Sequence, residues 1–180
     1  SSLILNVFEN TGRSLLILGE PGSGKTTLLR RLVTEQIIIA ERNNTSQIPV
    51  IFHLSTWNYK KNNLLVWIVD ELQARYKVSK SISRSWLEDQ SLMIFLDGLD
   101  EVETNQREAC IISINSFLQE NGLVPIAVCC RSREYIKSNT RLNLNYAVEI
   151  LPLDETQIDN ALKRLGRKTS PVRKILNQDP

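Results

Sequence analysis

Residues 19 to 26 read Gly-Glu-Pro-Gly-Ser-Gly-Lys-Thr, directly behind the apolar run Ser14-Leu15-Leu16-Ile17-Leu18. The pattern Gly-x-x-x-x-Gly-Lys-Ser/Thr demands a buried strand before it and a helix after it, and both signals are present. Glycines let the chain curl until successive N–H groups converge on one concavity. The following helix adds its N-terminal partial positive charge, and an anion settles there. Pro21 stiffens the loop. Gly19, Glu20, Pro21, Gly22, Ser23, Gly24, Lys25, Thr26 and Thr27 are therefore candidate phosphate-cradling residues. Lys25 would reach the β- and γ-phosphates, and the Thr26 hydroxyl would ligate Mg²⁺.

A chain of 180 residues, 42% apolar, can build one α/β domain with a sizeable core. No segment is long and apolar enough to span a membrane; Ile37-Ile38-Ile39-Ala40 is far too short. The net charge of +2 gives no broad electrostatic case for nucleic acid or an anionic membrane. The three cysteines, two adjacent at Cys129-Cys130, do not resemble a disulfide framework. They read as small packed hydrophobes in a reducing compartment, the cytoplasm. The chain starts on Ser and stops on Asn177-Gln178-Asp179-Pro180, so both ends read as cuts in a longer protein.

Strands and helices alternate, which argues for a parallel sheet covered on both faces. Strands are expected at Ser14–Leu18, Ile48–Leu54, Leu92–Leu96, Pro125–Cys129 and Tyr146–Ile150. Helices are expected at Lys25 to about Ala40, Leu64–Tyr76, Ser83–Asp89 and Gln106–Gln119. Asn43-Asn44-Thr45-Ser46 reads as a loop. Asp154 opens a further helix with Gln157 at its third position, a capping box. The remainder, to Asn177, reads as one short helix and the start of another.

The third strand ends in Asp97-Gly98-Leu99-Asp100-Glu101. A buried strand delivering a carboxylate at its C-terminal end supplies the Mg²⁺ side of such a site. Strand C-termini of a parallel sheet open onto one crevice, so Asp97 is expected to face Thr26 across it. Gly98 keeps the turn tight, and Asp100 and Glu101 swing back toward the γ-phosphate. At least one of these two is expected to orient or deprotonate water, with Asp100 placed slightly ahead of Glu101. The fourth strand leads into Cys129-Cys130-Arg131-Ser132-Arg133-Glu134-Tyr135. An arginine there can sense a γ-phosphate, with Arg133 placed ahead of Arg131.

Taken together, Gly-Glu-Pro-Gly-Ser-Gly-Lys-Thr-Thr, Ile-Phe-Leu-Asp-Gly-Leu-Asp-Glu-Val and Arg-Ser-Arg-Glu-Tyr resemble the NACHT domain of the STAND class of P-loop NTPases. Many ATPases carry Glu directly after the first Asp, where this chain has Gly98. The segment Pro49 to Trp57 and the run Leu153-Asp154-Glu155-Thr156-Gln157-Ile158 look like those of bacterial, particularly cyanobacterial, NACHT proteins. The resemblance covers the whole chain. It implies a three-layer P-loop NTPase fold with a parallel five-stranded sheet, order 5-1-4-3-2, and helices on both faces. Residues 1–152 would be the nucleotide-binding core and 153–180 the start of a following helical domain.

The resemblance further implies a switch driven by ATP or GTP with Mg²⁺, closed with ADP or GDP and open and homo-oligomeric with triphosphate. Helical, winged-helix, sensor and effector domains elsewhere in the full-length protein would be its partners. In the family's Thr-Ser-Arg sensor segment, Arg131-Ser132-Arg133 supports Arg133 and departs at the first position. Alone, this stretch would be monomeric, bind diphosphate at least weakly and hydrolyse triphosphate slowly if at all. The competing readings are an oligomerisation scaffold without meaningful turnover and a nucleic-acid motor, which the near-neutral charge opposes. His53, the single histidine, alternates within a strand and reads as structural. Trp57, Trp67 and Trp86 read as packing anchors.

Overall fold

Apolar strands buried on both faces require helices above and below, and the computed structural model has that arrangement. It describes residues 2–43, 47–57, 63–152, 154, 156–158 and 160. Five strands, β1 (Ser14–Gly19), β2 (Ile48–His53), β3 (Leu92–Asp97), β4 (Ile126–Arg131) and β5 (Tyr146–Ile150), form one parallel sheet. Their order is β2-β3-β4-β1-β5. The order 5-1-4-3-2 expected above is this one read from the other edge.

Six helices are described in the first 150 residues: α1 (Leu3–Asn10), α2 (Lys25–Asn43), α3 (Leu64–Tyr76), α4 (Lys80–Glu88), α5 (Thr104–Asn121) and α6 (Ser132–Ile136). Alternating strand side chains split the interior into two cores. On one face Leu16, Phe52, Ile94, Leu96 and Val128 pack with Trp67 and Ile68 of α3 and Ile111 and Ile114 of α5. On the other, Leu15, Ile17, Met93 and Phe95 pack with Leu29 and Leu32 of α2 and Phe8 of α1. Trp57 and Trp67 meet edge-on with centroids 5.9 Å apart, and Trp86 packs against the same core, so all three tryptophans are packing residues.

Several boundaries differ from the sequence reading, each for a local reason. Helix α1 was not anticipated. Ser2 caps it by accepting from Leu5 N–H, and Ile4, Leu5 and Phe8 supply its buried face. Phe8 lies 5.6 Å from Phe95, centroid to centroid, which ties α1 to β3. Helix α4 starts at Lys80 because the Ser79 hydroxyl accepts from Ile82 N–H. Strand β2 stops at His53, where Leu54–Thr56 form a 3₁₀ turn. Strand β4 runs on to Arg131, held in register with Gly19 of β1.

The chain divides into two compact units, residues 1–150 and 151–180. In the second, Asp154 N–H donates to Gln157 Oε1 at 3.1 Å and Gln157 N–H donates to Asp154 Oδ1 at 2.7 Å. This is the reciprocal capping box expected from sequence. The two helices expected between there and Asn177 lie outside the described residues, as do Asn44, Thr45 and Ser46 of the expected loop.

Candidate functional site

The strand order puts the C-terminal ends of β1, β4 and β3 side by side, and the sequence signals converge there. After β1 the chain turns at Ser23, whose N–H donates to the Glu20 carbonyl at 3.1 Å. Gly22 and Gly24 have φ of +76° and +91°. An L side chain pays about 1–2 kcal/mol for that backbone region. A Cβ at either position would meet nothing within 4 Å, so conformation and not crowding selects glycine. The loop delivers the first turn of α2, whose N–H groups have no partners within the helix. Lys25 Nζ arches back over the loop and donates to the carbonyls of Gly19 (2.8 Å) and Glu20 (2.9 Å).

Thr26 Oγ1 donates to Asp97 Oδ1 at 3.2 Å, the facing pair expected from sequence. Asp97 is 6% exposed, at the buried end of β3. His53 stands in register with it on β2, its Nδ1 3.7 Å from Asp97 Oδ2. Sequence reasoning read His53 as structural; its place beside this carboxylate was legible only once β2 and β3 were paired.

Beyond Asp97 the chain turns at Gly98 (φ +78°) into a 3₁₀ turn, Leu99–Glu101. A Cβ on Gly98 would lie 2.8 Å from Glu101 Cδ, because the Glu101 side chain folds back over the glycine. Glu101 has no ion-pair partner among the described residues and lines the crevice. Asp100 is differently employed. Its Oδ1 accepts from Arg131 N–H at 3.0 Å, and its Oδ2 pairs with Arg131 Nε at 2.7 Å.

These groups enclose a crevice of about 350 Å³. The loop and α2 supply Pro21, Gly22, Gly24, Lys25, Thr26 and Thr27; the strand ends opposite supply Asp97, Asp100, Glu101 and Arg131. Cys129 also borders it, its Sγ 3.9 Å from the Lys25 carbonyl. Burial, then the nearby Asp97 charge, pushes the Cys129 thiol well above its usual range, so it stays a neutral packing group. Arg133 is placed outside the crevice lining. It projects from α6 with its side chain 80% exposed, its Nε 3.5 Å from Glu20 Oε1 at the loop rim.

Sequence reasoning missed Arg107, which is 7% exposed on α5. Its Nη2 donates to the carbonyls of Asp100 (2.9 Å) and Val102 (3.4 Å), and its Nη1 pairs with Glu134 on α6 at 2.8 Å. It therefore fastens the acidic turn to the helix after β4. The signal was available: Arg107 lies three and four residues before the inward-facing Cys110 and Ile111. A charged residue on a buried helical stripe must have partners.

The NACHT domain family matches residues 13–169. The chain is similar to the Orc1 protein of Aeropyrum pernix, solved in complex with DNA, at TM-score 0.62 and 16% identity over 89% of this chain and 46% of that one. It is similar to AMPPCP-bound DnaA from Aquifex aeolicus at TM-score 0.54 and 18% identity, over 92% of this chain and 52% of that one. For PCH-2 of C. elegans the values are 0.53 and 16%, over 93% and 42%. At such identities the likeness is one of fold, the P-loop NTPase fold. The chain spans about half the length of these solved structures. No curated protein sequence matches it. Among the described residues, no helix is long and apolar enough to cross a membrane.

Proposed function

This chain belongs to the NACHT domain family, and on that premise we propose that it is the nucleotide-binding unit of a signalling switch that binds ATP or GTP with Mg²⁺ and hydrolyses it slowly. The observation that carries this reading is the meeting of Thr26 and Asp97 at 3.2 Å beneath a loop whose lysine points inward.

The residues present fit both the phosphates and the ion. Gly22, Gly24, Lys25, Thr26 and Thr27 line the crevice around the start of α2, whose free N–H groups and positive dipole end suit phosphate oxygens. Among the described residues Lys25 Nζ is satisfied by loop carbonyls alone, which it can exchange for phosphate oxygens in stronger, charge-assisted bonds. A hydroxyl and a carboxylate are the hard oxygen donors Mg²⁺ takes, and Thr26 and Asp97 would hold it. When bound, Mg²⁺ neutralises charge on the β- and γ-oxygens.

Water activation falls to Glu101 in this reading. Both Asp100 oxygens are engaged by Arg131, whereas the Glu101 carboxylate faces the crevice unpaired among the described residues. The engagement of Asp100 also favours the second reading, a nucleotide-dependent oligomerisation scaffold with little turnover. In either case residues from 153 onward open a helical domain, and the assembled form is a homo-oligomer. Arg133 at the loop rim remains a candidate γ-phosphate contact. It is 3.5 Å from Glu20 and free to swing.

The test is titration with fluorescent ADP, GDP and their triphosphate analogues in the presence of Mg²⁺. Lys25→Ala should cost roughly 30-fold or more in affinity, the worth of lost charge-assisted bonds. Equal binding by wild type and variant would defeat the site assignment. Turnover assays on Glu101→Gln then separate switch from scaffold.

A further inference from the structure

A second cavity, of about 440 Å³, lies at the other end of the sheet from the crevice. Ser14, the first residue of β1, lines it, whereas the loop that follows Gly19, the last residue of β1, lines the crevice. Five strand steps separate the two ends, about 17 Å. The volume is in the range of small-molecule sites. Its chemistry differs from that of the crevice. Charged residues make up 23% of the chain, yet of the ten described residues lining this cavity none is charged and none is aromatic. Four are amides: Asn115, Gln119, Asn143 and Asn145. Leu118 and Leu123 add an aliphatic wall, and Leu123 is 90% exposed.

Two of the amides are fixed by the fold. Asn115 Nδ2 donates to the Arg141 carbonyl at 2.8 Å, and its Oδ1 accepts from Asn143 N–H at 2.8 Å. Asn145 donates from Nδ2 to the Thr11 carbonyl and from its N–H to Ser14 Oγ, both at 3.2 Å. Gly12 admits this close approach. Its φ is +68°, and a Cβ there would lie 3.1 Å from Asn145 Nδ2. With those bonds made, Asn145 Oδ1 and the side-chain amides of Asn143 and Gln119 have no hydrogen-bond partner among the described residues.

We propose that this cavity is a binding site for an uncharged polyhydroxylated small molecule, a sugar or sugar alcohol. A carboxamide presents a donor and an acceptor side by side, and adjacent hydroxyls, each able to donate and to accept, meet both. The aliphatic wall takes the C–H face of the ring. A charged ligand would exchange water for a wall that offers no counter-ion. A nucleoside would need an aromatic or guanidinium surface to stack on, and the lining supplies neither. The cavity shares no lining residue with the crevice, so sugar and nucleotide can be held at once.

NMR titration of the whole isotope-labelled chain with glucose and maltose, read at the side-chain NH₂ signals, tests the site. Saturable shifts are expected at Asn115, Gln119, Asn143 and Asn145, with glycerol at matched concentration giving none. Gln119→Ala and Asn143→Ala should each weaken maltose about fivefold, with ADP affinity and thermal midpoint unchanged. Lys25→Ala should lose nucleotide and keep the sugar, so failure of the nucleotide reading and failure of this one are separate results. Glucuronate and glucosamine should bind about fivefold more weakly than glucose, or worse. Equal binding of the charged sugars would overturn the proposal, because the uncharged wall would then select nothing. Shifts that do not saturate, or that persist unaltered in both alanine variants, overturn it as well. Tighter binding at these signals by adenosine or by an uncharged dipeptide amide would assign the cavity to another ligand class and refute the sugar.

Discussion

Thr26 Oγ1 donates a hydrogen bond to Asp97 Oδ1 at 3.2 Å, joining groups 71 residues apart in the chain. The pairing exists because a single strand, β4, separates β3, which ends in Asp97, from β1, whose following helix α2 carries Thr26 in its first turn. The first prediction follows from it. Asp97→Asn keeps an acceptor for Thr26 but removes the charge a divalent cation requires. Nucleotide affinity in Mg²⁺ should fall to the level measured in EDTA, roughly a tenfold loss, with the thermal midpoint little changed. Titrations with and without Mg²⁺ decide it, and a surviving Mg²⁺ enhancement would remove Asp97 from the metal site.

Gly98 offers a test of the Glu101 carboxylate that leaves its chemistry intact. A methyl group at position 98 would sit 2.8 Å from Glu101 Cδ, and the backbone there has φ +78°. Gly98→Ala should cost about 1–2 kcal/mol of stability from the left-handed conformation. The flexible Glu101 side chain gives way first, so turnover should drop while nucleotide affinity holds. Glu101→Gln should reduce turnover by at least tenfold with the same affinity. Wild-type turnover in Gly98→Ala, measured by phosphate release, would show that the pose of Glu101 does not matter.

Much of this arrangement was legible in the sequence because its signals are local. The loop motif fixes strand, turn and helix within a dozen residues, and buried strands such as Leu92–Asp97 announce themselves by unbroken apolar runs. The capping box at Asp154 and Gln157 is equally local. What was not legible depends on contacts between distant segments. Helix α1 is short, and its purpose appears only when Phe8 meets Phe95. As text, the segment after β4 places Arg133 ahead of Arg131. The register of β4 with β1 turns Arg131 toward Asp100 and leaves Arg133 on the rim.

Arg107 should prove structural in one measurable sense. Replacing it with Leu strands the Asp100 and Val102 carbonyls, a loss of roughly 2 kcal/mol. Its half-buried partner Glu134 behaves differently. Lys137 first, and then Arg107, hold the Glu134 carboxyl below its usual range. A depressed carboxyl pKa stabilises the fold above the unfolded value, near 4.5, and that contribution is lost as pH falls through the folded one. Urea unfolding at pH 7 should therefore show the full Arg107→Leu penalty, and part of it should disappear below about pH 4. A penalty independent of pH would mean that the Glu134 contact contributes nothing.

The cysteines give the last prediction, on the alkaline side. Burial pushes the thiols of Cys110 and Cys130 up to about 12, and raises Cys129 as well. The folded protein therefore holds them protonated, and the thiolate that reacts with disulfide reagents forms only on unfolding. At pH 8 the native protein should react slowly at all three cysteines, and denaturant should release three equivalents at once. The stability consequence has a definite sign. An unfolded thiol near 9 ionises before a folded one near 12, so the neutral-thiol contribution is intact below about pH 9 and is lost progressively above it. Denaturant midpoints should fall between pH 9 and 11 in wild type and fall less in a variant carrying Cys110→Ala and Cys130→Ala. Rapid labelling of any cysteine in the native state at pH 8, with nucleotide absent or present, would show that the β4 end of the core opens more readily than its packing implies.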